Sequence, residues 1–507
     1  MLLRRIVGAV ATKERGFMRH IRVSHRHNGV VSLLTTPLFY TPPGNLYKIS
    51  HDTIIICCLF DGGMMSQGNV VPGKQQQERR IYDYEYEPVP VEVRKSWYVI
   101  ALIWLALGID ISGLFLGSFL SSGLPFSQAI SATLIGSVLL GILAALCANV
   151  GYGCGLSTTL LSISVFGRLG GKMIGVFSAV SMVGWFAFQL DFFGVMLQKA
   201  LLHYQLEPGR FFVLLFGMVL MTLTAIWGVR ALGKLSILSV PLMLILIVSG
   251  IYLAASGHSS PTEIAIKTPI SLGSAVSYVV SIWIVAASIV SPDIARYSRT
   301  RKDAMLGSGL GFLLGNSSTI LVALILTHMV GSDDLVEIFF SIGLGLSAIV
   351  ILIFAQWTTN SSNLISASLG LSVVIRAISR PILVVVMAFA GLLLAYNGMI
   401  NNFTQFLSLI GVLISPIAGV YLAEYYFFDS SRLKQDVSQP PLLNICAFIA
   451  WLSGSFVSLA TATDFFDLFT ITSVSTLDGI IISLVMYIAM RKMFPQLATS
   501  AHSFSKP

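Results

Sequence analysis

Charged residues are scarce in this sequence. Asp, Glu, Lys and Arg make up only 11% of the 507 residues, whereas hydrophobic residues make up 55%. Soluble domains carry roughly 25% charged residues. The low charge therefore excludes an ordinary soluble domain, and the formal net charge of +8 is no argument for a nucleic-acid partner. We interpret the basic surplus as information about orientation in a membrane.

Cysteine and histidine are also few, and their positions argue against two further classes of protein. None of the five cysteines has metal-type spacing with a histidine, so we expect Cys147, Cys154 and Cys446 to be packing residues. The eight histidines are scattered, and half of them precede residue 52. A membrane enzyme would need clustered histidines or a nucleophile with a base. We therefore predict that the protein is not an enzyme.

Long apolar stretches are what the sequence does contain. Stretches of about 20 residues recur from residue 97 to the C-terminus, and each can cross a hydrocarbon core of roughly 30 Å. Because lipid excludes unpaired backbone outside helices and closed barrels, the sequence predicts an all-α polytopic membrane protein. We predict twelve spans, numbered one to twelve in chain order: 97–120, 127–149, 172–199, 211–230, 235–256, 272–292, 304–330, 337–361, 379–397, 401–427, 440–461 and 470–490.

The N-terminal region differs from the rest of the chain. The first fifty residues contain eight Lys or Arg and one acid, a composition typical of an organellar transit peptide. Alternatively, the true start is Met64 or Met65, and residues 1–63 are a mispredicted extension. We favour the second interpretation and expect residues 1–95 and 493–507 to be cytoplasmic tails.

The basic residues indicate how the chain is oriented. With the N-terminus inside, the inner loops hold fourteen Lys or Arg and the outer loops hold three. This is a strong positive-inside bias. An even number of spans then places both termini in the cytoplasm. If the N-terminal extension is spurious, the membrane is the inner membrane of a bacterium.

Two corresponding spans are interrupted by helix-breaking residues. Span one reads WLALGIDISGLFLG and places Gly108, Asp110 and Gly113 in mid-membrane, while span six reads WIVAASIVSPD and ends with Pro292 and Asp293. Paired interrupted helices at corresponding positions of two five-span halves indicate a secondary transporter built on an inverted repeat. The alternative is that small residues merely permit close helix packing.

Span three contains an aromatic residue and an amide on one helix face. Trp185 and Gln189 are four residues apart. An indole stacks on a flat ring, and an amide one turn along offers both a donor and an acceptor. Trp283 of span six could cover the opposite face of such a ring. The alternative for a membrane Trp is an interfacial anchor, although Trp185 lies well inside its span.

Span eight ends, on this prediction, in the polar stretch AQWTTNSSN. The hydroxyls of Thr358 and Thr359, together with carbonyls freed by a break in span one, would form an all-oxygen site suited to Na⁺. Asn360 follows and could present its amide to a solute. The alternative is ordinary hydrogen bonding between helices.

Two acidic residues inside the predicted spans each have more than one possible role. A carboxylate in mid-membrane is unfavourable in free energy, so Asp110 is by default a candidate functional residue. It could add charge near an ion, carry a proton, or pair structurally with a backbone end at the break. Asp191, close to the face of Trp185 and Gln189, has the same alternatives.

Five motifs in order carry a resemblance to a known family. They are PVPVEVRK (88–95), GWF in span three, SPDIARYSR after span six, WTTN in span eight and SPIAGVYLAEYY (415–426) in span ten. Together they resemble the nucleobase:cation symporter-1 family of purine and cytosine permeases, most of all the bacterial cytosine permeases, over roughly residues 85–490. The resemblance implies a leucine-transporter-type fold. Its 5+5 inverted-repeat core would occupy residues 96–427, and two accessory helices would lie within 428–492.

The resemblance also implies a sodium site. Ala106 and Ile109 match the positions whose span-one carbonyls bind sodium in the family, and Ala355 matches a span-eight carbonyl. Thr358 and Thr359 match the two hydroxyl ligands. Sodium would be the coupling ion, with a proton as the alternative, and no other cofactor is expected.

For the solute site, the resemblance implies stacking by Trp185 and Trp283 and polar contacts from Gln189 and Asn360. The span-six serine of the family's cytosine carriers has no clear counterpart, because Val285 occupies its slot. Ser281 and Ser288 are the nearby candidates. The implied function is sodium-coupled import of cytosine or a related heterocycle by alternating access, by a monomer in a lipid bilayer. A proton-coupled symporter of allantoin, hydantoin, a purine or a vitamin is the alternative, and a channel or receptor is a more remote one.

Overall fold

The computed structural model describes residues 89, 94–108, 110–156, 158–257, 264–375, 377–428, 430, 433 and 440–499. The predictions about a transit-type segment, an alternative start and the last residues of the C-terminal tail lie outside these described residues.

Within the described residues the chain is helical. Besides a π-helix at Ala286–Val290 and a 3₁₀ turn at Met399–Asn402, it forms sixteen α-helices. In chain order these are α1 Trp97–Gly108, α2 Ile111–Gly123, α3 Phe126–Cys154, α4 Thr158–His203, α5 Arg210–Trp227, α6 Val229–Gly257, α7 Leu272–Ser281, α8 Ser291–Ala295, α9 Arg301–Val330, α10 Leu335–Ser341, α11 Gly345–Val374, α12 Arg380–Tyr396, α13 Phe403–Phe427, α14 Ile445–Thr461, α15 Ser475–Met493 and α16 Pro495–Thr499.

Each of the twelve predicted spans coincides with a helix or with a bent pair of helices. Among the described residues, seven helices are long and apolar enough to cross a membrane, and two bent pairs raise that number to nine. The remaining three predicted spans correspond to α12, α14 and α15, of which the first two are shorter apolar helices. The prediction of a polytopic helical protein is confirmed.

The interrupted helices are also confirmed. The axes of α1 and α2 differ by 62° across the break between Gly108 and Ile111, and those of α7 and the segment Ala286–Ala295 differ by 42°. At the first break, the amide of Asp110 donates to the carbonyl of Gly108 at 2.9 Å instead of continuing the helical pattern back to Ala106. The Asp110 carboxylate then caps α2 by accepting from the Ser112 amide at 3.3 Å.

The second break is supported by side chains of other helices. The chain turns at residues 282–283 and continues through the π-helix, a single turn of irregular helical backbone. The Tyr421 hydroxyl donates to the Ser288 carbonyl at 2.8 Å, and the Thr158 hydroxyl donates to the Ile289 carbonyl. These contacts come from α13 and from the start of α4. They hold the irregular backbone in place within the protein interior, as lipid requires.

Glycines bring α1 and α9 into close contact. Gly307, Gly311 and Gly315 recur at four-residue intervals along α9, and a methyl group on any of them would meet α1. The approach is reciprocal, because a Cβ at Gly108 would lie 2.5 Å from the Cα of Gly315. Small residues at such intervals let helix backbones approach closely in membranes. The broken span is thereby fixed against span seven.

One predicted boundary was wrong. Span eight was predicted at 337–361, but the structure has the short helix α10, a turn with positive φ at Gly343 and Gly345, and then α11 continuing to Val374. The stretch WTTN therefore lies in the middle of a continuous helix and not at its end. Span three was predicted to begin at residue 172; α4 starts at Thr158 but has a kink at Gly167, where φ is 82°, and its part after the kink begins close to the predicted residue.

The last two long helices pack on α13. Glu424 of α13 is buried and accepts a hydrogen bond from the Tyr487 hydroxyl at 2.7 Å, with Arg491 at 3.4 Å. The amide of Asn444 contacts the same tyrosine hydroxyl at 3.4 Å and donates to the Val165 carbonyl at 2.8 Å. One polar cluster therefore joins the accessory helices to the core.

A short main-chain bridge connects the approach to α1 with the segment after α8. The Lys95 amide donates to the Tyr297 carbonyl at 2.6 Å, and the Arg299 amide donates to the Lys95 carbonyl at 2.9 Å. The Trp97 amide, two residues further along, donates to the Asp303 carboxylate at 2.9 Å. Spans one, six and seven are thereby joined at the same end.

Candidate functional site

Three amide side chains meet where α4 packs against α11. The Asn363 Nδ2 lies 3.5 Å from the Gln189 Oε1 and 3.3 Å from the Asn360 Oδ1. Gln189 donates from Nε2 to the Ser112 Oγ at 3.2 Å, and Asn360 donates from Nδ2 to the Phe186 carbonyl at 3.0 Å. The cluster therefore joins spans three and eight to the residue that follows the span-one break.

An aromatic cluster lies one turn away on α4. The Trp185 ring meets the rings of Phe188 and Phe406 edge-on, at centroid distances of 6.0 and 5.3 Å. Phe403 stacks on Phe188 at 4.2 Å. Because Phe403 and Phe406 begin α13, span ten covers the face of span three that carries Trp185 and Phe188.

The span-six residues lie in different surroundings. Trp283, at the turn before the π-helix, meets the Phe312 ring of α9 edge-on at 6.0 Å, and the ring contacts described for Trp185 are to other residues. The Ser281 hydroxyl contacts the Thr476 hydroxyl of α15 at 2.9 Å, which directs it toward an accessory helix. The Ser288 hydroxyl is buried and has no hydrogen-bond partner.

The two threonines of α11 use their hydroxyl hydrogens within the helix. Thr358 Oγ1 donates to the Phe354 carbonyl at 2.8 Å, and Thr359 Oγ1 donates to the Ala355 carbonyl at 3.1 Å. The lone pairs of each hydroxyl remain the groups that can serve a cation. Thr358 also lies 2.7 Å from the Ser239 Oγ of α6, which adds a third hydroxyl to this group.

The span-one positions flank the break. Ala106 is exposed on the last turn of α1, where carbonyls lack helical partners, and Ile109 lies outside the described residues. Asp110 is buried, and its Oδ1 has no hydrogen-bond partner. A half-buried break of this kind offers carbonyl oxygens and the negative end of a half-helix to a cation.

Asp191, the second acid left open by the sequence, is engaged structurally. Its side chain is fully buried, with Oδ1 accepting from the Arg210 Nη2 at 2.7 Å and Oδ2 accepting from the Ile400 amide at 2.9 Å. The carboxylate therefore holds the turn that leads into α13.

Sequence reasoning missed three polar residues of this region. Ser112 and Asn363 stand in the quoted stretches of spans one and eight without an assigned role, and Ser239 lies outside the quoted stretches. The helical spacing of Asn363, three residues after Asn360, was the available signal. It went unused because span eight was predicted to end at residue 361.

Comparison with known proteins identifies the family. A family model described as "Permease for cytosine/purines, uracil, thiamine, allantoin" matches residues 88–482. The chain belongs to this permease family. The cytosine permease of Escherichia coli strain K12 is 29% identical over 387 residues, which cover 73% of this chain and 90% of the relative. The hydantoin permease of Microbacterium maritypicum is 24% identical over 443 residues, covering 78% of this chain and 87% of the relative.

Solved structures agree on the fold of the permease. Mhp1, a nucleobase-cation-symport-1 family transporter in a closed conformation with bromovinylhydantoin bound, superposes with a TM-score of 0.65 at 19% identity. The match covers 84% of this chain and 98% of Mhp1. A mutant manganese transporter of Eremococcus coleocola matches with a TM-score of 0.51 at 14% identity, covering 79% of this chain and 94% of the transporter.

These findings confirm the coarse predictions. The permease is a multi-pass membrane protein with a leucine-transporter-type fold, and it is a transporter of nucleobase-like heterocycles rather than an enzyme.

Proposed function

We propose that the permease imports cytosine or a closely related small heterocycle together with sodium, by alternating access. The observation that supports this most directly is the meeting of the Gln189, Asn360 and Asn363 amides beside Trp185, next to the hydroxyls of α11. A flat amide heterocycle needs hydrogen bonds in the plane of its ring edge and stacking on its ring face, and amides beside an indole supply both. The E. coli relative named as a cytosine permease supports the choice of cytosine.

In this proposal Trp185 stacks on the ring, Gln189 and Asn360 bind its edge, and Trp283 borders the site from span six. Of the two span-six serines, Ser288 is the better candidate for a solute contact, because its buried hydroxyl lacks a hydrogen-bond partner. Ser281 contributes less, because its hydroxyl is directed to Thr476.

We place sodium between the first break and α11. Its ligands would be the carbonyls of Ala106, Ile109 and Ala355 and the hydroxyls of Thr358 and Thr359. The donor set is neutral oxygen throughout, which suits a hard monovalent cation. By bridging α1 and α11, sodium would order the span that carries the solute-binding amides. The coupling free energy must be reciprocal, so the solute must raise sodium affinity by the same factor that sodium raises solute affinity.

The positive-inside bias supports a cytoplasmic location for both termini. We place the carrier in the inner membrane of a bacterium, where it would act as a monomer. The inverted-repeat core would occupy residues 96–427, with accessory helices within 428–492 and tails at both ends.

An uptake panel tests this function. Cells that express the permease should accumulate radiolabelled cytosine faster with sodium than with potassium. Unlabelled uracil, hydantoin and allantoin should inhibit this uptake according to how well each ring fits the solute site. Cells with the empty vector provide the background. Equal cytosine uptake in sodium and potassium would refute the sodium coupling, and no uptake of any heterocycle in the panel would refute the function itself.

Thr359→Val should weaken sodium dependence specifically. Valine is close to threonine in shape and removes one proposed sodium ligand. It also removes the hydrogen bond that the Thr359 hydroxyl donates to the Ala355 carbonyl. We expect the sodium concentration for half-maximal uptake to rise roughly tenfold or more, since a lost charge-assisted ligand contributes about 1.5–3 kcal/mol. Thr327→Val is the matched control, because Thr327 makes the same backbone bond on α9, to Ala323. Equal sodium responses in the two variants would contradict the assignment.

Proton coupling is the second candidate, and the unpartnered Oδ1 of buried Asp110 favours it. An uptake rate that follows the pH gradient without sodium would select this alternative.

A further inference from the structure

Hydrogen bonds in the amide cluster are donated outward from Asn363. Its Nδ2 donates to the oxygens of Asn360 and Gln189, and the nitrogens of those two amides donate in turn to the Phe186 carbonyl and the Ser112 hydroxyl. An amide that is rotated by half a turn exchanges a donor for an acceptor. The orientation of every member therefore matters for recognition of a ring edge.

The two ends of this hydrogen-bonded cluster differ in how strictly they fix orientation. The Phe186 carbonyl can only accept, so Asn360 must direct its Nδ2 there and its Oδ1 toward Asn363. Ser112, in contrast, has a hydroxyl that can donate or accept, so it tolerates either orientation of Gln189. Nothing at the Ser112 end decides which atom of Gln189 faces the site.

Asn363 fixes the orientation of the Gln189 amide. Because the Asn360 oxygen accepts, Asn363 presents its Nδ2 to it, and the second hydrogen of that same nitrogen reaches the Gln189 Oε1. Gln189 is thereby held with its oxygen toward Asn363 and its nitrogen toward Ser112, so the remaining lone pair of that oxygen is what Gln189 can offer a solute. Without Asn363, both orientations of Gln189 would be accessible.

We propose that Asn363 is the positioning residue that sets hydrogen-bond polarity, and hence base selectivity, at Gln189. This inference rests on the proposed function. It commits the site to ring edges that offer an amino donor, which can bind the second lone pair of the Gln189 oxygen while the Asn363 nitrogen stays in place. Edges that present a carbonyl oxygen at the same place meet an oxygen and are rejected.

Cytosine and uracil differ in this property. Cytosine carries an amino group beside an acceptor ring nitrogen, whereas uracil carries an oxygen beside a ring N–H. The wild-type permease should therefore prefer cytosine over uracil. An unpaired buried polar group weakens binding by roughly 10- to 100-fold, which sets the expected size of the preference.

The test measures the ratio of cytosine to uracil uptake in wild type, Asn363→Leu and Asn363→Ser, each with sodium and with potassium. Leucine has a similar volume and no polar group, while serine is small and too short to bridge both amides. We expect the ratio to fall by about tenfold in both variants, with uracil uptake retained or increased. A residue that merely stabilises the fold would lower both rates together and leave the ratio unchanged.

Asn397→Leu is the matched control, because Asn397 is an exposed residue at the end of α12 that bonds its own helix. It should keep the wild-type ratio. If the leucine variant does not reach the membrane, the serine variant decides the result.

The outcomes separate the inference from the function on which it rests. Wild-type preference for uracil, or a ratio unchanged in a variant that still transports, overturns the role of Asn363 alone. A ratio that falls with sodium-independent uptake supports Asn363 and refutes only the sodium coupling. If wild type transports neither base, the proposed function is overturned, together with the inference that depends on it.

Discussion

Arg210→Met should lower the stability of the folded permease by about 3 kcal/mol, the low end of the range for breaking a buried ion pair. The reason is that Asp191 would remain fully buried with only the Ile400 amide to balance its charge. The low end applies because Arg210 is 37% exposed, so water can partly replace it. Thermal unfolding of the purified protein in detergent measures the loss.

Two further variants make this result specific. Asp191→Asn should cost less, since it removes the buried charge and retains an oxygen for the Ile400 amide. Lys267→Met breaks the exposed pair with Asp333, in which the lysine is 60% exposed, and should change stability by less than about 1 kcal/mol. Equal losses in Arg210→Met and Lys267→Met would show that the buried pair has no special importance.

Gly108→Ala should abolish most transport and lower stability by about 1–3 kcal/mol, although it adds one methyl group. The new Cβ would lie 2.5 Å from the Cα of Gly315, and backbone cannot move aside as a flexible side chain can. Relief requires separating α1 from α9, which would displace the carbonyls at the first break. Uptake rate and thermal unfolding are the two measurements.

Gly250→Ala is the control for this prediction. A Cβ there would meet its nearest atom at 3.8 Å, an ordinary contact, and alanine favours a helix over glycine by up to about 1 kcal/mol. This variant should be neutral or slightly stabilised. A similar loss in both variants would mean that helix propensity or flexibility, and not the close approach, explains the effect at Gly108.

The sequence predicted the helical architecture because hydropathy and helix-breaking residues are local properties. Twenty-residue apolar stretches identify spans, and Gly108 with Asp110 identified the first break without any knowledge of packing. The turn before α11 was missed for the opposite reason. Apolar residues continue on both sides of Gly343, so hydropathy alone gives no boundary there.

The site was predicted less completely, because its members are joined across helices. Gln189 and Asn360 could be selected by residue type, but the role of Asn363 depends on how α4 faces α11. The same is true of Asp191. Its pairing with Arg210 and with the Ile400 amide depends on how the loops after α4 and α12 fold back, and no spacing rule contains that information.

The bridge at Lys95 has an evolutionary consequence. Its hydrogen bonds join main-chain atoms of Lys95 to those of Tyr297 and Arg299, so no side chain carries them. Ordinary amino-acid replacements would leave these two bonds in place, while proline at Lys95 or at Arg299 would remove one of them. The connection between spans one, six and seven can therefore stay constant while the surrounding sequence diverges.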